Sequence, residues 1–184
     1  MTFPAFKEWH VIVEALGAGE QILILRKGGI AEGRGGFQID ASRFWLFPTR
    51  FHEQLEKTKP TAARFAAPSE ASAASSPQRI ELRYFADLVH TAFLTDWAAV
   101  TRLDPHHLWA EATVRERFNW SKPAGIHALV VRVHKLAAPL SLPLTPDMGG
   151  CKSWIDLPCA FDAQPSEPGL SDAAFAARRI ALSL

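Results

Sequence analysis

The chain has 184 residues, and 48% of them are hydrophobic, which is enough for a core and excludes a chain that is disordered throughout. Its 20 basic and 19 acidic residues give a net charge of +1, so any nucleic acid must contact a local basic patch. We expect a single domain over residues 1–184, with a flexible arm rich in Ala, Ser and Pro at about 60–77.

The two cysteines, Cys151 and Cys159, are too few for a disulfide framework, which is typical of a reduced, intracellular protein. The N-terminus lacks the charged and apolar regions of a signal peptide. No apolar run approaches the roughly 20 residues that a membrane span needs. We therefore predict a cytoplasmic protein with no membrane partner.

Residues 7–16 have two possible structures. They could form a short helix closed by Gly17, or a strand paired with residues 21–27 through a short turn. The three β-branched residues 11–13 favour the hairpin. In either case the unbroken apolar run at 22–25 predicts a buried strand.

The middle of the chain is expected to alternate between short ordered segments and a flexible arm. A strand-like region at 37–47 stops at Pro48, and residues 49–59 are expected to form a short helix. The arm at 60–77 follows. Alternation of apolar and charged residues at 80–84 then predicts a strand.

The second half predicts helices followed by strands. We expect one helix at 96–103 and another beginning at Asp104-Pro105, because an acceptor before proline is a typical helix start. Residues 126–136 are the clearest strand, and 149–157 read as a turn into a strand. A last helix begins at Ser171, with Phe175 and Ile180 as anchors. This order predicts an α+β fold with a mixed or mainly antiparallel sheet.

A basic turn follows the strand at 22–25. Arg26 and Lys27 precede Gly28 and Gly29, and cations beside bare backbone amides can hold a phosphate. The alternative is a tight turn with exposed basic side chains. No phosphate-loop or dinucleotide fingerprint is present.

An aromatic segment runs over residues 44–52. Strand alternation places Phe44 and Leu46 on one side and Trp45 and Phe47 on the other. An exposed ring next to Arg50 could stack a nucleobase. The alternative is that core residues cover both faces.

Further basic and aromatic residues lie in the second half of the chain. Arg117 and Trp120 form one group, and Lys152 beside Trp154 suits a contact with a phosphate backbone. His107 is interpreted as a helix-face residue with a hydrogen-bond partner. The predicted binding residues are Arg26, Lys27, Gly28, Gly29, Trp45, Thr49, Arg50, His52, His107, Arg117, Trp120, Lys152, Ser153 and Trp154.

The histidines and cysteines do not predict a metal site or a cofactor. His127 and His134 have odd spacing on one strand and so point to opposite faces. Cys151 and Cys159 lack the close pairing of structural zinc sites. A nucleophile at Cys151 or Ser153 has no base at a defined spacing, and we predict no catalytic residue.

Seven blocks, in this order, resemble the bacterial family called domain of unknown function 1802: KEW at 7–9, ILILRKGGI at 22–30, FWLFPTRFH at 44–52, HLW at 107–109, RFNW at 117–120, LVVRVHKL at 129–136 and GGCKSW at 149–154. The resemblance covers most of the chain outside the arm. It implies no established activity. Some relatives are joined to a restriction-endonuclease-like domain, which suggests a role near DNA restriction or modification.

Two fold resemblances follow. LVVRVHKL, the basic turn and the late tryptophan strand look like PUA-like domains, which implies a partly closed barrel with flanking helices that binds RNA or modified bases. ILILRKGG followed by FWLFP looks like the opening of a Nudix hydrolase. Glu53 and Glu56 are present, but the core of the Nudix metal-binding box is missing.

The sequence therefore favours a binding module for DNA, RNA or a nucleotide over an enzyme. The family resemblance implies that this module is an accessory to a restriction or defence system. The first alternative is a hydrolase of nucleotides or phosphate esters that uses Glu53 and Glu56 with a divalent ion. The second is a protein–protein interaction module in which the aromatic blocks are all core. The exposure of the six tryptophans separates this last case from the first.

Overall fold

The computed structural model describes residues 1–27, 41–50, 52–67, 79–150 and 152–184. In these ranges the strands are β1 Phe3–Trp9, β2 Leu23–Arg26, β3 Arg43–Thr49, β4 Arg79–Leu94, β5 Ile126–Pro143, β6 Trp154–Leu157 and β7 Ser166–Pro168. The helices are α1 His10–Gly17, α2 Trp97–Arg102, α3 Glu111–Asn119 and α4 Asp172–Leu182. Short 3₁₀ turns lie at Pro60–Phe65, Asp104–His106 and Pro146–Met148. None of the helices in these ranges is long and apolar enough to cross a membrane.

The described strands form one seven-stranded sheet. Its order is β2-β5-β4-β3-β1-β6, and β7 pairs with β5. The pairing of β1 with β3 is parallel, and the other pairings are antiparallel. The long β4–β5 pair, which has two register irregularities, forms the centre of the sheet. The predicted α+β class with a mixed, mainly antiparallel sheet is confirmed.

Side chains bring the two ends of this strand order together. Arg26 ends β2, and Ser153 stands one residue before β6. The Arg26 Nε and Nη2 atoms donate hydrogen bonds to the Ser153 Oγ, at 3.1 and 3.0 Å. The sheet therefore curls so that its outermost strands approach each other, as expected of a strongly twisted sheet, and it is partly closed by side chains at this point.

Core residues cover both faces of the sheet. Phe44 and Leu46 belong to the larger cluster, beneath α1, whereas Trp45 and Phe47 belong to a second cluster on the opposite face. The predicted alternation along β3 is thus confirmed. The second cluster also contains Phe85 of β4, whose ring lies 5.8 Å from that of Trp45.

The predicted hairpin at the N-terminus is wrong, because the strand ends at Trp9 and α1 follows it at once. β1 pairs with β3 instead, from Ala5 opposite Trp45 to Trp9 opposite Thr49. Val11, Ile12 and Val13 are fully buried on α1. Burial against the sheet therefore outweighs their weak preference for strands.

Three smaller predictions are also corrected. Residues 52–57 form turns and no helix, and Pro60–Phe65, which we expected in the flexible arm, form a 3₁₀ turn with Ala62 buried. The helix expected to begin at Asp104 begins only at Glu111, as α3, and Asp104–His106 form a single 3₁₀ turn before it. On α4 the buried anchors are Phe175 and Leu182, whereas Ile180 is 78% exposed. The predicted arm beyond residue 67 lies outside the described residues.

Candidate functional site

Four separate segments meet where the sheet edges approach. β1 contributes Glu8, β2 ends in Arg26, α3 carries Arg117, and Ser153 precedes β6. Glu8 follows Phe6 by two residues on β1, so both side chains point to the face of the larger core cluster. This alternation sends a carboxylate inward among aromatic rings.

The Glu8 carboxylate is buried but only partly satisfied. Its Oε1 accepts the Trp9 backbone N–H at 2.8 Å, whereas its Oε2 has no hydrogen-bond partner among the described residues. The Arg117 Nη2 lies 4.0 Å from Oε1, and the Arg26 Nη1 lies 4.0 Å from Oε2. The Glu8 side chain has no exposed surface. Two cations offset this buried charge without hydrogen-bonding to it, and such a group is costly unless it is paired.

Both arginines are held in place by the protein while keeping part of their surface open. The Arg117 Nη1 donates to the Leu25 carbonyl at 2.9 Å. Its guanidinium lies 4.8 Å from the ring centroid of Trp9 and 5.2 Å from that of Trp109. The side chains of Arg26 and Arg117 remain 17% and 15% exposed.

The charge state of Arg117 follows from this setting. Burial lowers the pKa of Arg117 to about 10, and the nearby Arg26 adds to this effect while Glu8 opposes it. At neutral pH Arg117 is therefore still a cation. The Arg26, Glu8 and Arg117 side chains together carry one net positive charge beside the rings of Phe6, Trp9 and Trp109, an arrangement that attracts an anion.

Lys7 ties the neighbouring segment to β1. Its Nζ donates to the carbonyls of Met148 and Gly150, at 2.9 and 2.7 Å, and its backbone N–H donates to the Ser153 carbonyl at 2.9 Å. The lysine is only 7% exposed. It therefore acts as an internal crosslink that positions Ser153.

Other predicted site residues lie around this cluster. The Lys27 Nζ donates to the Pro123 carbonyl at 2.6 Å, and Lys152 is exposed. Trp154 is half-buried and packs 5.0 Å from the ring of Phe6. Gly28 and Gly29, together with Cys151, lie outside the described residues.

The predicted site residues of the aromatic segment at 44–52 take different positions, from the core to the exposed surface. Trp45 has no exposed surface, and its Nε1 donates to the Cys159 carbonyl at 3.0 Å, so it packs in the core and cannot stack a base. The Thr49 hydroxyl donates to the Glu8 carbonyl at 3.0 Å and so supports β1. Arg50 is exposed where β3 ends, and exposed His52 lies 3.4 Å from Glu53.

His107 and Trp120, two further predicted site residues, differ in exposure, since His107 is buried and Trp120 is exposed. His107 is 4% exposed, lies outside any helix, and its ring is 5.7 Å from that of Trp109. The hydrogen-bond partner predicted for His107 is wrong for its Nδ1, which has none among the described residues. Trp120 is 58% exposed at the end of α3, three residues after Arg117.

Sequence reasoning missed the centre of the site, namely Glu8 and Lys7, and the rings of Trp9 and Trp109. The available signal was two adjacent charges inside the otherwise apolar strand FPAFKEW. Charged residues in such a strand are rarely buried without a specific reason.

The acidic residues proposed for a hydrolase are placed elsewhere. Glu53 lies 3.8 Å from the Lys57 Nζ, and Glu56 is exposed. In the described part of the chain, no group of three or more His, Cys, Asp or Glu residues is arranged to hold a metal ion. The structure thus brings together Arg26, Arg117, Ser153 and Trp154, and leaves Glu53 and Glu56 apart from them.

Solved structures provide a distant likeness. The chain is similar to ASCH from Zymomonas mobilis, with 15% identity and a TM-score of 0.43, covering 70% of this chain and 66% of that one. A Tyr-to-Phe variant of the same protein gives 15% identity and a TM-score of 0.44, covering 78% of this chain and 76% of the other. The chain thus spans about two thirds of the length of the first of these structures.

No curated protein matches the chain in sequence. A family model does match it: the model described as Domain of unknown function (DUF1802) aligns with residues 5–181. This match includes every residue of the Arg26–Glu8–Arg117 cluster, together with Lys7 and Ser153. The resemblance seen in the sequence blocks is confirmed, and the chain belongs to the DUF1802 family.

Proposed function

We propose that this protein binds nucleic acid or a nucleotide, with Arg26 and Arg117 contacting a phosphate group. The observation that carries the proposal is the placement of two arginines, whose side chains keep part of their surface exposed, each 4.0 Å from a different oxygen of one buried carboxylate. Planar guanidinium groups suit phosphate because they can donate two parallel hydrogen bonds.

The hydrogen bonds already made leave donors available. Among the described residues, Arg117 donates to the Leu25 carbonyl and Arg26 donates to the Ser153 hydroxyl. A guanidinium has more N–H groups than these bonds use. Because the protein already fixes both side chains, a phosphate that binds them needs to order little else.

Aromatic and basic neighbours support the same ligand class. Trp9 and Trp154 are half-buried at the cluster, and exposed Trp120 comes directly after α3, three residues beyond Arg117. Stacking on such rings contributes roughly 1–3 kcal/mol per base. Exposed Lys152 adds positive charge near Ser153.

A binding titration tests the proposal. Fluorescence-labelled single- and double-stranded oligonucleotides are titrated with protein at two salt concentrations, followed by anisotropy. We expect Arg26→Gln to weaken binding about tenfold or more and to reduce the slope of log affinity against log salt by about 0.7–0.9, as for the loss of one phosphate contact. Arg117→Lys, which keeps the charge but loses the planar fork, should weaken binding less.

Arg43→Gln is the matched control, because Arg43 is another ion-paired arginine on the same sheet but away from the cluster. It should bind like the wild type. Unchanged binding by folded Arg26→Gln and Arg117→Lys proteins, or the same loss in Arg43→Gln, would overturn the proposed site.

Two finer predictions stand beside this proposal. The family resemblance predicts a role accessory to a restriction or defence system, and the cysteine usage predicts a cytoplasmic location. Both stay predictions. The exposure of Trp120 favours a binding surface over a module whose aromatic residues are all core.

A further inference from the structure

Buried polar atoms without a partner are concentrated in one place. In the described ranges, the side-chain atoms of this kind are the Glu8 Oε2, the Trp109 Nε1 and the His107 Nδ1. Arg117 connects the first two residues, since it lies 4.0 Å from Glu8 and 5.2 Å from the Trp109 ring. The ring of His107 follows at 5.7 Å from that of Trp109. Unsatisfied buried groups are rare in native proteins, and a row of them suggests a role in binding.

His107, the last residue of this row, also lines a pocket. This pocket lies between α2, the Asp104–His106 turn and α3, and has a volume of about 270 Å³. Trp97, Val100, Pro105 and Val114 form apolar walls, and His107 is part of the lining. The volume is just below the range of about 300–1,000 Å³ typical of drug-sized ligands, so the pocket fits a smaller molecule of one ring system.

The lining of this pocket carries no free charge. Asp104 is paired with the Lys59 Nζ at 3.1 Å, and Glu111 is paired with the Arg115 Nη2 at 3.0 Å. Burial lowers the pKa of His107 to about 4, helped by the charge of Lys59 and opposed by that of Asp104. The imidazole is therefore neutral at pH 7 and presents one donor and one acceptor. Such a lining suits an uncharged, flat ligand with polar atoms along one edge.

We propose that this pocket holds a single nucleobase, with the imidazole of His107 hydrogen-bonded to the polar edge of the base. The inference rests on the proposed function, because the Trp109 ring lies 5.2 Å from the Arg117 guanidinium and 5.7 Å from the His107 ring. A base in the pocket is thus one aromatic ring away from the phosphate site. The base must leave its stack to enter, which favours single-stranded nucleic acid or a free nucleotide.

Uncharged nucleosides test the pocket without the phosphate site. Adenosine, guanosine, cytidine and uridine are titrated separately, and the imidazole signals of His107 are followed by NMR, assigned from their absence in His107→Gln. We expect at least one nucleoside to shift these signals in a saturable way that is insensitive to salt. No shift with any of the nucleosides at concentrations up to their solubility would overturn the inference.

A variant that fills the pocket provides the second arm. Thr101 is an exposed residue of the lining, so Thr101→Trp blocks the pocket without entering the core. Ala112→Trp, on an exposed position of α3 outside the lining, is the matched control. We expect nucleoside binding to fall at least tenfold in Thr101→Trp and to persist in Ala112→Trp. Equal binding by the two variants would contradict the pocket assignment.

Short single-stranded oligonucleotides with one abasic position separate failure of the pocket from failure of the phosphate site. We expect one abasic position to weaken binding at least fivefold in the wild type and to have no effect in Thr101→Trp. If Arg26→Gln weakens oligonucleotide binding but the abasic scan is flat, the pocket inference fails and the proposed function stands. If nucleosides bind in the pocket but oligonucleotide affinity is the same in Arg26→Gln as in the wild type and does not change with salt, the proposed phosphate site fails.

Discussion

The clusters around Asp87 and Glu8 contain similar side chains, but the carboxylate is fully hydrogen-bonded in the first and only partly hydrogen-bonded in the second. In each, a carboxylate lies between an arginine and a second basic side chain. At Asp87, Arg43 donates hydrogen bonds to Oδ1 at 2.6 Å and to Oδ2 at 2.9 Å, and the His134 Nε2 lies 3.0 Å from Oδ2. At Glu8, both arginines stay at 4.0 Å, and Oε2 has no partner among the described residues.

The difference separates a structural ion pair from a site with unused binding capacity. Burial raises the pKa of Asp87, but the hydrogen bonds from Arg43 and the contact with His134 outweigh it and hold this pKa below its usual value. Both oxygens of the Asp87 carboxylate therefore already have hydrogen-bond partners within the protein. The Glu8 cluster is more deeply buried and yet less satisfied, so an additional ligand gains more there.

The largest expected effect is the loss of the buried carboxylate. Glu8→Ala leaves the Arg26 and Arg117 charges close together without compensation, and we expect it to lower the free energy of unfolding by about 3–5 kcal/mol. Urea denaturation followed by tryptophan fluorescence measures this loss. Glu8→Gln keeps the shape of the side chain and should lose less. Asp87→Ala, at the exposed cluster, should lose no more than about 1 kcal/mol; equal losses at Glu8 and Asp87 would contradict the distinction between the clusters.

The next largest effect concerns acid stability and His107. The pKa of this histidine is about 4 in the folded protein and close to 6.5 when unfolded. Between these values the unfolded chain binds more protons, so stability is fully present above pH 6.5 and is lost as the pH falls towards 4. The loss amounts to about 3 kcal/mol.

Urea denaturation at several pH values measures this loss. His107→Gln should flatten that part of the pH profile, because it removes the titrating group. The charged groups that act on His107 are Lys59, Asp104, Arg117 and His106. A variant with the wild-type slope would assign the acid sensitivity to other groups.

A smaller effect is expected from the internal crosslink of the Glu8 cluster. Lys7→Met removes the hydrogen bonds to the Met148 and Gly150 carbonyls, and we expect a loss of about 2 kcal/mol, since bonds from charged donors contribute roughly 1.5–3 kcal/mol each and methionine recovers some packing. Oligonucleotide affinity should fall as well, because the segment that leads to Ser153 loses its side-chain contacts at Met148 and Gly150. Lys135→Met, at an exposed lysine of β5, is the matched control and should change neither stability nor affinity. Equal behaviour of the two variants would remove Lys7 from the support of the site.

The sequence correctly predicted those elements that are indicated by a pattern of neighbouring residues. The apolar, β-branched run at 126–136 predicted the core of β5, and the glycine pair that begins GGCKSW predicted the turn into β6. Arg26, Arg117, Ser153 and Trp154 were also identified, because charges next to aromatic rings are visible in the sequence. Their meeting in space was not predicted, since it depends on the curl of the sheet.

The errors have a common origin in contacts between distant residues. β1 pairs in parallel with β3, about 40 residues later, and this pairing leaves 10–17 free to form a helix that covers the sheet. Local propensity alone favoured a hairpin there. For Trp45 the sequence left open an exposed, base-stacking ring or a core ring, and residues of β4, β5 and β6 cover its face of the sheet. Glu8 was missed because its importance lies in the two arginines that approach it from other segments.

The smallest expected effect returns to the satisfied cluster. The Arg43 side chain is 49% exposed, so water replaces much of what the ion pair with Asp87 provides. Arg43→Gln should therefore change the free energy of unfolding by only about 0.2–1 kcal/mol. A double-mutant cycle with Asp87→Asn, measured by urea denaturation, gives the coupling between the two side chains. A coupling energy larger than the loss measured for Lys7→Met would mean that this exposed ion pair stabilises the fold more than the buried hydrogen bonds of Lys7 do. Such a result would contradict the expected difference in stability between the two clusters.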